Sequence, residues 1–338
     1  MIKAGCIGTG GISGVHLRYL QTRGDVEIAA LCDVNAENLE RARKQYGGRG
    51  FADFREMLKS EKLDAVWICT PPQVRREPLL ACADRGIPVF CEKPVERDLA
   101  RARSIARELK KRKARVQIGY VFRSMPIVQR LRKEMAGDRI HGIQSFYGCG
   151  VSLNRSLPAW FYDKALSGGA LVDQATHNLD LLRMLMGEVA TVSGIAANPV
   201  HPKKKGYTVD EVLALSLLFE NGTAGGHVHT WVGDGWRNEM LLIGEKRVYR
   251  MDLGRGVLTV EEGSDTRTCR QDQSRIYEHQ NRRFLEMVVA GGWDRNPSTY
   301  EDAVRTLALT LLCDKAVTAA GARTRRLTPA GGKLDLPA

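Results

Sequence analysis

The sequence has no long hydrophobic run, since none of its segments approaches the ~20 consecutive apolar residues that span a bilayer. Its first residues enter a predicted strand at once and lack the apolar core and small-residue cleavage site of a secretion signal. Internal repeats and low-complexity segments are also missing. These absences exclude a membrane protein and a repeat array, and we expect a globular protein of the cytoplasm with no membrane partner.

Cysteine pairs typical of metal sites are missing too. The chain has eight cysteines, but no Cys-x-x-Cys pair and no zinc-like spacing. Four of them lie inside apolar runs that predict buried strands, where a thiol acts as a small hydrophobic group: Cys6, Cys32, Cys69 and Cys91. We therefore expect a reducing compartment and no metal.

Aromatic residues are missing from the most basic segment, residues 97–115. This segment carries much of the formal net charge of +12, and nucleic-acid binding is one interpretation of such a run. Single-stranded nucleic acid, however, is usually bound with aromatic rings that stack on its bases. Glu96 and Asp98 stand at the start of this segment and cations at its end, as the dipole of a surface helix favours. We expect a solvated helix and no nucleic-acid partner.

The 338 residues are sufficient for two domains with hydrophobic cores. In residues 1–121, apolar runs alternate with helical patterns, which predicts an α/β domain with a doubly wound parallel sheet. After residue 122 the pattern changes to strands separated by turns, with few helices, and we expect an α+β domain with a large, mainly antiparallel sheet over residues 122–325. Residues 326–338 are interpreted as a C-terminal tail.

A glycine-rich turn follows the first predicted strand and opens the first helix. Gly8 permits a tight turn, and Gly10 allows the backbone to approach a pyrophosphate at the helix N-terminus. Gly11 and Ile12 complete the turn, while Ser13 replaces the usual third glycine. Such turns alone are weak signals, but this one has a strand before it and a helix after it. The sequence predicts a dinucleotide site.

Asp33 ends the second predicted strand, 23 residues beyond Gly10. A carboxylate at this position suits the ribose hydroxyls of an adenosine and repels a 2′-phosphate. We therefore expect NAD as the cofactor. NADP remains possible because Arg41 and Arg43 follow in the next helix.

Two further segments end strands at the carboxyl edge of the predicted parallel sheet, where such folds bind ligands. Thr70 and Pro71 begin a turn that two prolines force on the chain. Glu92 and Lys93 follow the fourth of the predicted strands. At this edge the Lys93 ammonium can reach both a cofactor and a substrate, which makes it a candidate for chemistry.

Taken with a later segment that contains Asp173, His177 and Asp180, these motifs resemble one family in order and spacing. The chain is similar to the glucose–fructose oxidoreductase, inositol dehydrogenase and rhizopine catabolism family (Gfo/Idh/MocA) over roughly residues 1–320. The resemblance implies an N-terminal Rossmann domain, a C-terminal domain with an open antiparallel sheet, a nicotinamide cofactor and a sugar or polyol substrate. It also implies that the peptide bond between Lys93 and Pro94 is cis.

The resemblance assigns Lys93 to the nicotinamide ribose and the reacting hydroxyl, His177 to acid–base catalysis, and Asp173 to the carboxylate beside it. The spacing of Asp173, His177 and Asp180 predicts one shared helical face. A histidine there can accept a hydroxyl proton, a carboxylate can orient it, and an ammonium can stabilise an alkoxide. A surface ion pair and a metal site are the alternatives for the same residues.

Other candidates carry weaker signals. Tyr120 and Arg123 match the family segment that enters the second domain, where Arg123 is either a substrate clamp or a hinge salt bridge. Trp160 offers a face for a sugar ring, although buried tryptophans are commonly core. His227 and His229 alternate on a strand and so face one side, for which a sheet-surface role is favoured over a metal.

Arg75 and Arg76 follow the Thr-Pro-Pro turn, and Arg75 stands where many relatives have histidine. Two cations there suit an acidic substrate, a cofactor phosphate or a solvated helix start.

We expect an NAD(P)-dependent oxidoreductase that transfers hydride between nicotinamide and a hydroxyl of a sugar, cyclitol or sugar derivative. An NAD-dependent glycosidase that oxidises its substrate transiently is one alternative, and a non-catalytic dinucleotide-binding regulator is another. An open sheet needs covering, so a homodimer or homotetramer is expected.

Overall fold

The computed structural model describes residues 1–152, 159–201 and 206–321. The first of its two sheets has six parallel strands in the order β3-β2-β1-β4-β5-β6. The strands are β1 (Ile2–Ile7), β2 (Val26–Cys32), β3 (Arg49–Phe51), β4 (Ala65–Ile68), β5 (Val89–Cys91) and β6 (Val116–Ile118). Five helices accompany them: α1 (Ser13–Gln21), α2 (Ala36–Tyr46), α3 (Phe54–Ser60), α4 (Arg76–Asp84) and α5 (Leu99–Lys111). The predicted doubly wound sheet is confirmed, and the short strand β3 was missed.

The central strands β4 and β5 are apolar and buried along their whole length, because both faces of the sheet are covered there. Trp67 and Phe90 point into one core, where the Trp67 ring lies 5.0 Å from that of Phe284. Ile68 and Cys91 point into the core on the other face. Continuous apolar runs are the pattern that a sheet buried on both faces requires.

The order of the strands places a crevice at the carboxyl edge of the sheet. β1 pairs with β2 on one side and with β4 on the other, so the chain leaves β1 and β4 in opposite directions. Ligands of open α/β sheets bind at such a switch point. Gly8 and Thr70, which follow these two strands, lie at this crevice.

The second sheet has eight strands in the order β14-β13-β12-β11-β7-β10-β9-β8. They are β7 (Ile140–Gly148), β8 (Val189–Ala197), β9 (Val212–Phe219), β10 (Ala224–Thr230), β11 (Arg237–Gly244), β12 (Val248–Asp252), β13 (Val257–Glu262) and β14 (Asp265–Arg270). β7 and β10 are parallel, and the other neighbouring pairs are antiparallel. The predicted mainly antiparallel sheet is confirmed.

His227 and His229 do face one side of β10, but that side is the buried one. Their exposed fractions are 1% and 0%, so the predicted sheet-surface role is wrong. His227 contacts the Ser145 hydroxyl at 3.1 Å. Among the described residues, no cluster of three or more His, Cys, Asp or Glu side chains suits a metal ion.

The remaining helices are α6 (Pro126–Glu134), α7 (Lys164–Ser167), α8 (Thr176–Met186), α9 (Ile276–Ala290) and α10 (Tyr300–Gly321). The last two return to the parallel sheet. Phe284 of α9 lies in its core, and α10 contributes Leu307 to that sheet and Leu309 to the core of the second sheet.

No helix within the described residues is long and apolar enough to cross a membrane. The division of the chain at residues 121 and 122 stays a prediction. The predicted tail, residues 326–338, lies outside the described residues.

Candidate active site

The glycines of the glycine-rich turn are needed for two different reasons, one for the fold and one for a ligand. Gly8 has φ +89°, and a Cβ there would lie 2.8 Å from the Thr70 backbone nitrogen, so the fold itself requires this glycine. A Cβ on Gly10 or Gly11 would meet nothing within 4 Å. Protein packing therefore does not explain these two glycines. The space they leave free, at the N-terminus of α1, is where a pyrophosphate would bind.

A cavity of about 830 Å³ extends from this turn along the carboxyl edge of the sheet. Asp33 lies on its wall and accepts hydrogen bonds from the Thr9 backbone at 2.7 Å and the Asn35 backbone at 2.8 Å. The Thr70 hydroxyl, on the same wall, is buried and has no partner among the described residues. Free space, a fixed carboxylate and an unpaired hydroxyl together fit a dinucleotide.

Arg41 and Arg43, the two arginines for which NADP was considered as the cofactor, form hydrogen bonds with side chains of their own helix. Arg41 donates to the Asn38 side chain at 2.8 Å, and Arg43 donates to Glu40 at 3.0 Å. Neither side chain lines the cavity. This arrangement favours NAD.

Glu92, predicted to bind the cofactor, is a buried carboxylate behind Lys93. Its Oε1 lies 3.1 Å from His16 Nε2, and its Oε2 accepts the backbone N–H of Lys93 at 3.1 Å. Gly119 leaves room for it, since a Cβ there would lie 2.8 Å from Glu92 Oε1. Asn281 of α9 holds the other ring nitrogen of His16 at 3.1 Å.

The sequence offers no signal for His16, because a lone histidine on the apolar face of α1 does not differ from an ordinary core residue. Burial disfavours its charged form, but the hydrogen bond and charge of Glu92 outweigh burial, and the pKa of His16 is raised. The pair fixes the backbone from which the Lys93 side chain projects.

Arg75 connects residues 92–94 to the Thr-Pro-Pro turn through hydrogen bonds. Its buried guanidinium donates to the Thr70 carbonyl at 2.8 Å and to the carbonyls of Glu92 and Pro94. The Lys93–Pro94 peptide bond between those carbonyls is cis. Arg75 thus has a structural role rather than the suggested one in binding an anion, whereas Arg76 is exposed at the wall of the cavity.

Lys93 extends from the edge of the parallel sheet to the other sheet's helices. Its Nζ donates to the Asp173 backbone carbonyl and lies 3.5 Å from Asp173 Oδ1. Both side chains are partly exposed, at 16% and 28%. The structure therefore brings together two of the three predicted catalytic residues in a place that solvent reaches.

His177 lies beside them on α8, partly buried against the Phe122 ring at 5.0 Å and the Tyr120 ring at 6.0 Å. Burial, then the positive charge of Lys93, holds the pKa of His177 well below its usual value. The imidazole is thus neutral at neutral pH. Its buried Nδ1 has no hydrogen-bond partner among the described residues.

Two expectations about this helix are corrected. Asp173 contacts Lys93, and no hydrogen bond between Asp173 and His177 occurs within the described part of the chain. Leu171–Ala175 form a π-helical turn that leads into α8, which alters the rotation between the two residues. Asp173 and His177 are partly exposed, but Asp180 is buried, with an exposed fraction of 1%.

Arg123, predicted to bind substrate, meets Asp180 there. Its Nε and one terminal nitrogen each donate to an Asp180 oxygen at 2.6 Å. A further ion pair joins it to Asp302 at 2.6 Å, and its remaining nitrogen donates to the Pro297 carbonyl at 2.6 Å. The arrangement favours the salt-bridge alternative over a substrate clamp.

Tyr120 and Trp160, both predicted to bind substrate, differ in their exposure. Tyr120 is buried, and its hydroxyl lies 3.3 Å from that of Thr176. Trp160 is 51% exposed and packs on Phe161.

Trp236 was not predicted at the site, yet its ring lies 6.1 Å from Phe122, which itself packs on His177. It is 39% exposed and also lies 6.2 Å from the Tyr147 ring. These three rings form an aromatic wall beside His177. The sequence offered no signal for it, because the three residues come from separate segments.

Comparison with known proteins identifies the family. Residues 2–120 match the oxidoreductase family with an NAD-binding Rossmann fold, and residues 128–250 match the GFO/IDH/MocA C-terminal domain. The chain belongs to the Gfo/Idh/MocA family. The predicted resemblance and the predicted NAD-binding Rossmann domain are confirmed.

Curated Gfo/Idh/MocA relatives include dehydrogenases. The rhizopine catabolism protein MocA of Rhizobium meliloti is 29% identical over 58% of this chain and 61% of its own length. The inositol 2-dehydrogenase of Paracoccus denitrificans is 30% identical over 60% of this chain and 58% of its own length. The matched part thus spans about three fifths of each relative.

Solved structures of the same fold extend over almost the whole chain. A levoglucosan dehydrogenase in complex with NADH and levoglucosan has a TM-score of 0.81 and 20% identity, covering 94% of this chain and 97% of its own. GenD2 from gentamicin A biosynthesis, in complex with NAD, has a TM-score of 0.79 and 21% identity, covering 94% and 95%. At these identities the likeness shows the fold.

Proposed function

We propose that this Gfo/Idh/MocA protein is an NAD-dependent oxidoreductase that acts on a hydroxyl or carbonyl group of a sugar, cyclitol or sugar derivative. The observation that carries the proposal is the contact between Lys93 and Asp173 beside His177. Lys93 projects from the carboxyl edge of the parallel sheet, and the cavity that begins at the glycine-rich turn extends along the same edge. Bound NAD would supply the hydride acceptor there.

The residues of this chain can perform the remaining steps of alcohol oxidation. When hydride leaves carbon, the hydroxyl proton must go to a base, and a neutral imidazole at His177 can take it. The Lys93 ammonium can donate a hydrogen bond to the same oxygen and stabilise its developing negative charge. Asp173, whose Oδ1 lies 3.5 Å from Lys93 Nζ, holds that ammonium in place.

Preference for NAD over NADP rests on Asp33. Its carboxylate would repel a 2′-phosphate, and the nearby Arg41 and Arg43 are engaged elsewhere on α2. Asp33→Ala should weaken NAD binding and improve NADP binding in relative terms, as titration with each cofactor measures. An unchanged ratio of the two dissociation constants would contradict this role of Asp33.

A sugar or cyclitol substrate is supported by the exposed ring of Trp236, which packs on the buried rings of Phe122 and Tyr147, because an exposed ring can pack on the apolar C–H faces of such molecules. Relatives named as inositol, glucoside and levoglucosan dehydrogenases point the same way. The test is a panel of cyclitols, neutral sugars and sugar acids, assayed with NAD and with NADP by absorbance of the reduced cofactor.

Turnover of one class in the panel, lost in Lys93→Met, is the expected result. Release of a free sugar from glycosides without accumulation of NADH would instead favour the transient-oxidation glycosidase. Absence of turnover across the panel, despite NAD binding, would favour a dinucleotide-binding regulator.

The proposal includes a cytoplasmic homodimer or homotetramer. The outer face of the eight-stranded sheet exposes Ile195, Leu218 and Ile243, at 57%, 43% and 49%, and exposed apolar residues on one face favour association. All eight cysteines are free, as a reducing compartment would keep them. Light scattering after size-exclusion chromatography tests the assembly, and a monomer at micromolar concentration would contradict it.

A further inference from the structure

A second cavity, of about 650 Å³, lies away from the glycine-rich turn and shares no lining residue with it. Helix α9 and residues 291–295 form most of its wall, and the start of α6 closes it. Three arginines line this arginine cavity, against a single glutamate: Arg282, Arg283, Arg295 and Glu286.

The positive charge of the arginine cavity is poorly balanced. Arg283 and Arg295 have no carboxylate within 4.0 Å among the described residues, and Arg282 lies 4.0 Å from Glu286. Arg283 is half-buried, and within the described part of the chain it donates one hydrogen bond, to the Arg295 carbonyl at 3.3 Å. Burial and the charge of nearby Arg132 lower the pKa of Arg283. A half-buried guanidinium among like charges is costly unless an anion joins it.

The basic run of residues 97–115 provides a contrast within the same chain. Arg112 pairs with Asp84 at 2.7 Å and with Glu108 at 2.7 Å. Arg97 donates to backbone carbonyls, that of Leu166 among them at 2.7 Å. Arg112 thus has two carboxylate partners, whereas Arg283 and Arg295 have none within 4.0 Å among the described residues.

An independent observation comes from the cavity wall itself. Ser124 lines the arginine cavity and is 8% exposed, and its buried hydroxyl has no partner among the described residues. Buried hydroxyls normally have a hydrogen-bond partner, so an unpaired one at a cavity indicates a missing ligand or water. His279 on the same wall accepts from Arg282 through Nδ1 at 2.8 Å, which leaves its other ring nitrogen free to donate.

We infer that the arginine cavity is a binding site for a small phosphate-bearing anion, held by Arg283 and Arg295. Guanidinium groups bind phosphate oxygens through two parallel hydrogen bonds, which suits a cluster of this kind. The volume exceeds that of one phosphate group and falls in the range of small-molecule sites. No Phe, Tyr or Trp lines the cavity, so it lacks the stacking surface that a nucleic acid would use.

Calorimetric titration with inorganic phosphate, and separately with glycerol 3-phosphate, tests the inference. The protein is saturated with NAD, so that the glycine-rich turn is filled, and ionic strength is held constant with sodium chloride. Arg283→Gln and Arg295→Gln remove the proposed ligands. Arg305→Gln is the matched control, since it deletes an exposed arginine of α10 whose partner is Glu188 at 3.6 Å.

The expected result is saturable phosphate binding that weakens about tenfold or more in Arg283→Gln and Arg295→Gln, since each loses a charge-assisted hydrogen bond. Binding to Arg305→Gln should match the unmodified protein. Thermal melts without phosphate show whether the variants fold, and the exposed Arg295 provides a variant with little structural cost. No saturable binding, or equal binding in all three variants, would overturn the inference.

Discussion

Replacing Arg123 with Met separates a structural role from a substrate-binding one. The change keeps most of the side-chain volume but removes the guanidinium that pairs with Asp180 at 2.6 Å and with Asp302 at 2.6 Å. Asp180 is 1% exposed, so its carboxylate would be left buried with only the Thr306 hydroxyl as partner, at 2.8 Å. Breaking a buried ion pair on one side costs about 3–5 kcal/mol.

For a chain of 338 residues, that loss in the free energy of unfolding corresponds to a melting temperature lower by roughly 4–7 °C. The penalty should also depend on pH. Burial already raises the pKa of Asp180 despite Arg123, and removing the cation raises it further. The folded variant then binds a proton that the unfolded chain releases, so its stability decreases as pH rises from the unfolded pKa of 3.8 through the folded value.

Differential scanning calorimetry between pH 5 and 8 measures both effects. Arg130→Met is the matched control, because Arg130 is 48% exposed and its ion pair among the described residues is with Glu134, four residues along the same helix. Exposed pairs of this kind contribute about 0.3–0.5 kcal/mol. If Arg123→Met melted like the control but raised KM strongly, Arg123 would be a substrate ligand and the structural interpretation would be refuted.

The remaining predictions concern the cofactor turn and the base. Gly8→Ala should lower the melting temperature of the free protein, because the added Cβ would lie 2.8 Å from the Thr70 nitrogen. In Gly10→Ala the added Cβ would meet no atom within 4 Å, so the melting temperature should stay unchanged while NAD binding weakens. Equal melting temperatures for the two variants in calorimetry would contradict this distinction. Since the pKa of His177 lies well below 6.5, alcohol oxidation should lose activity only when pH falls well under that value. A fall in kcat/KM with an apparent pKa at or above 6.5, absent from His177→Asn, would contradict a lowered pKa of His177.

The fold was predictable because its signals are local. Continuous apolar strands, glycines between a strand and a helix, and Asp33 at a strand end each follow from a few neighbouring residues. The short strand β3 (Arg49–Phe51) was missed since three residues are too few for a periodic pattern.

The candidate site was predictable only in part, because it is built from distant segments. Lys93 was expected to converge with His177 and its neighbouring carboxylate, and the contact that the structure shows is between Lys93 and Asp173. The spacing of Asp173, His177 and Asp180 suggested one helical face, but the π turn changes the rotation between Asp173 and His177, and Asp180 is buried in an ion pair with Arg123.

Two further features were beyond sequence reasoning. The partner of Glu92 is His16, 76 residues away in the chain, and the aromatic wall joins residues of three segments. No spacing rule connects such residues before the fold is known.

One measurement bears most directly on the claim that the chemistry depends on the Lys93 ammonium. It compares turnover and NAD affinity in Lys93→Met with those of the unmodified protein, using whichever substrate the panel identifies. Losing the charge that stabilises the developing alkoxide should lower kcat by about 10²–10³ or more while the dissociation constant for NAD stays nearly the same. Undiminished kcat in Lys93→Met would contradict the account.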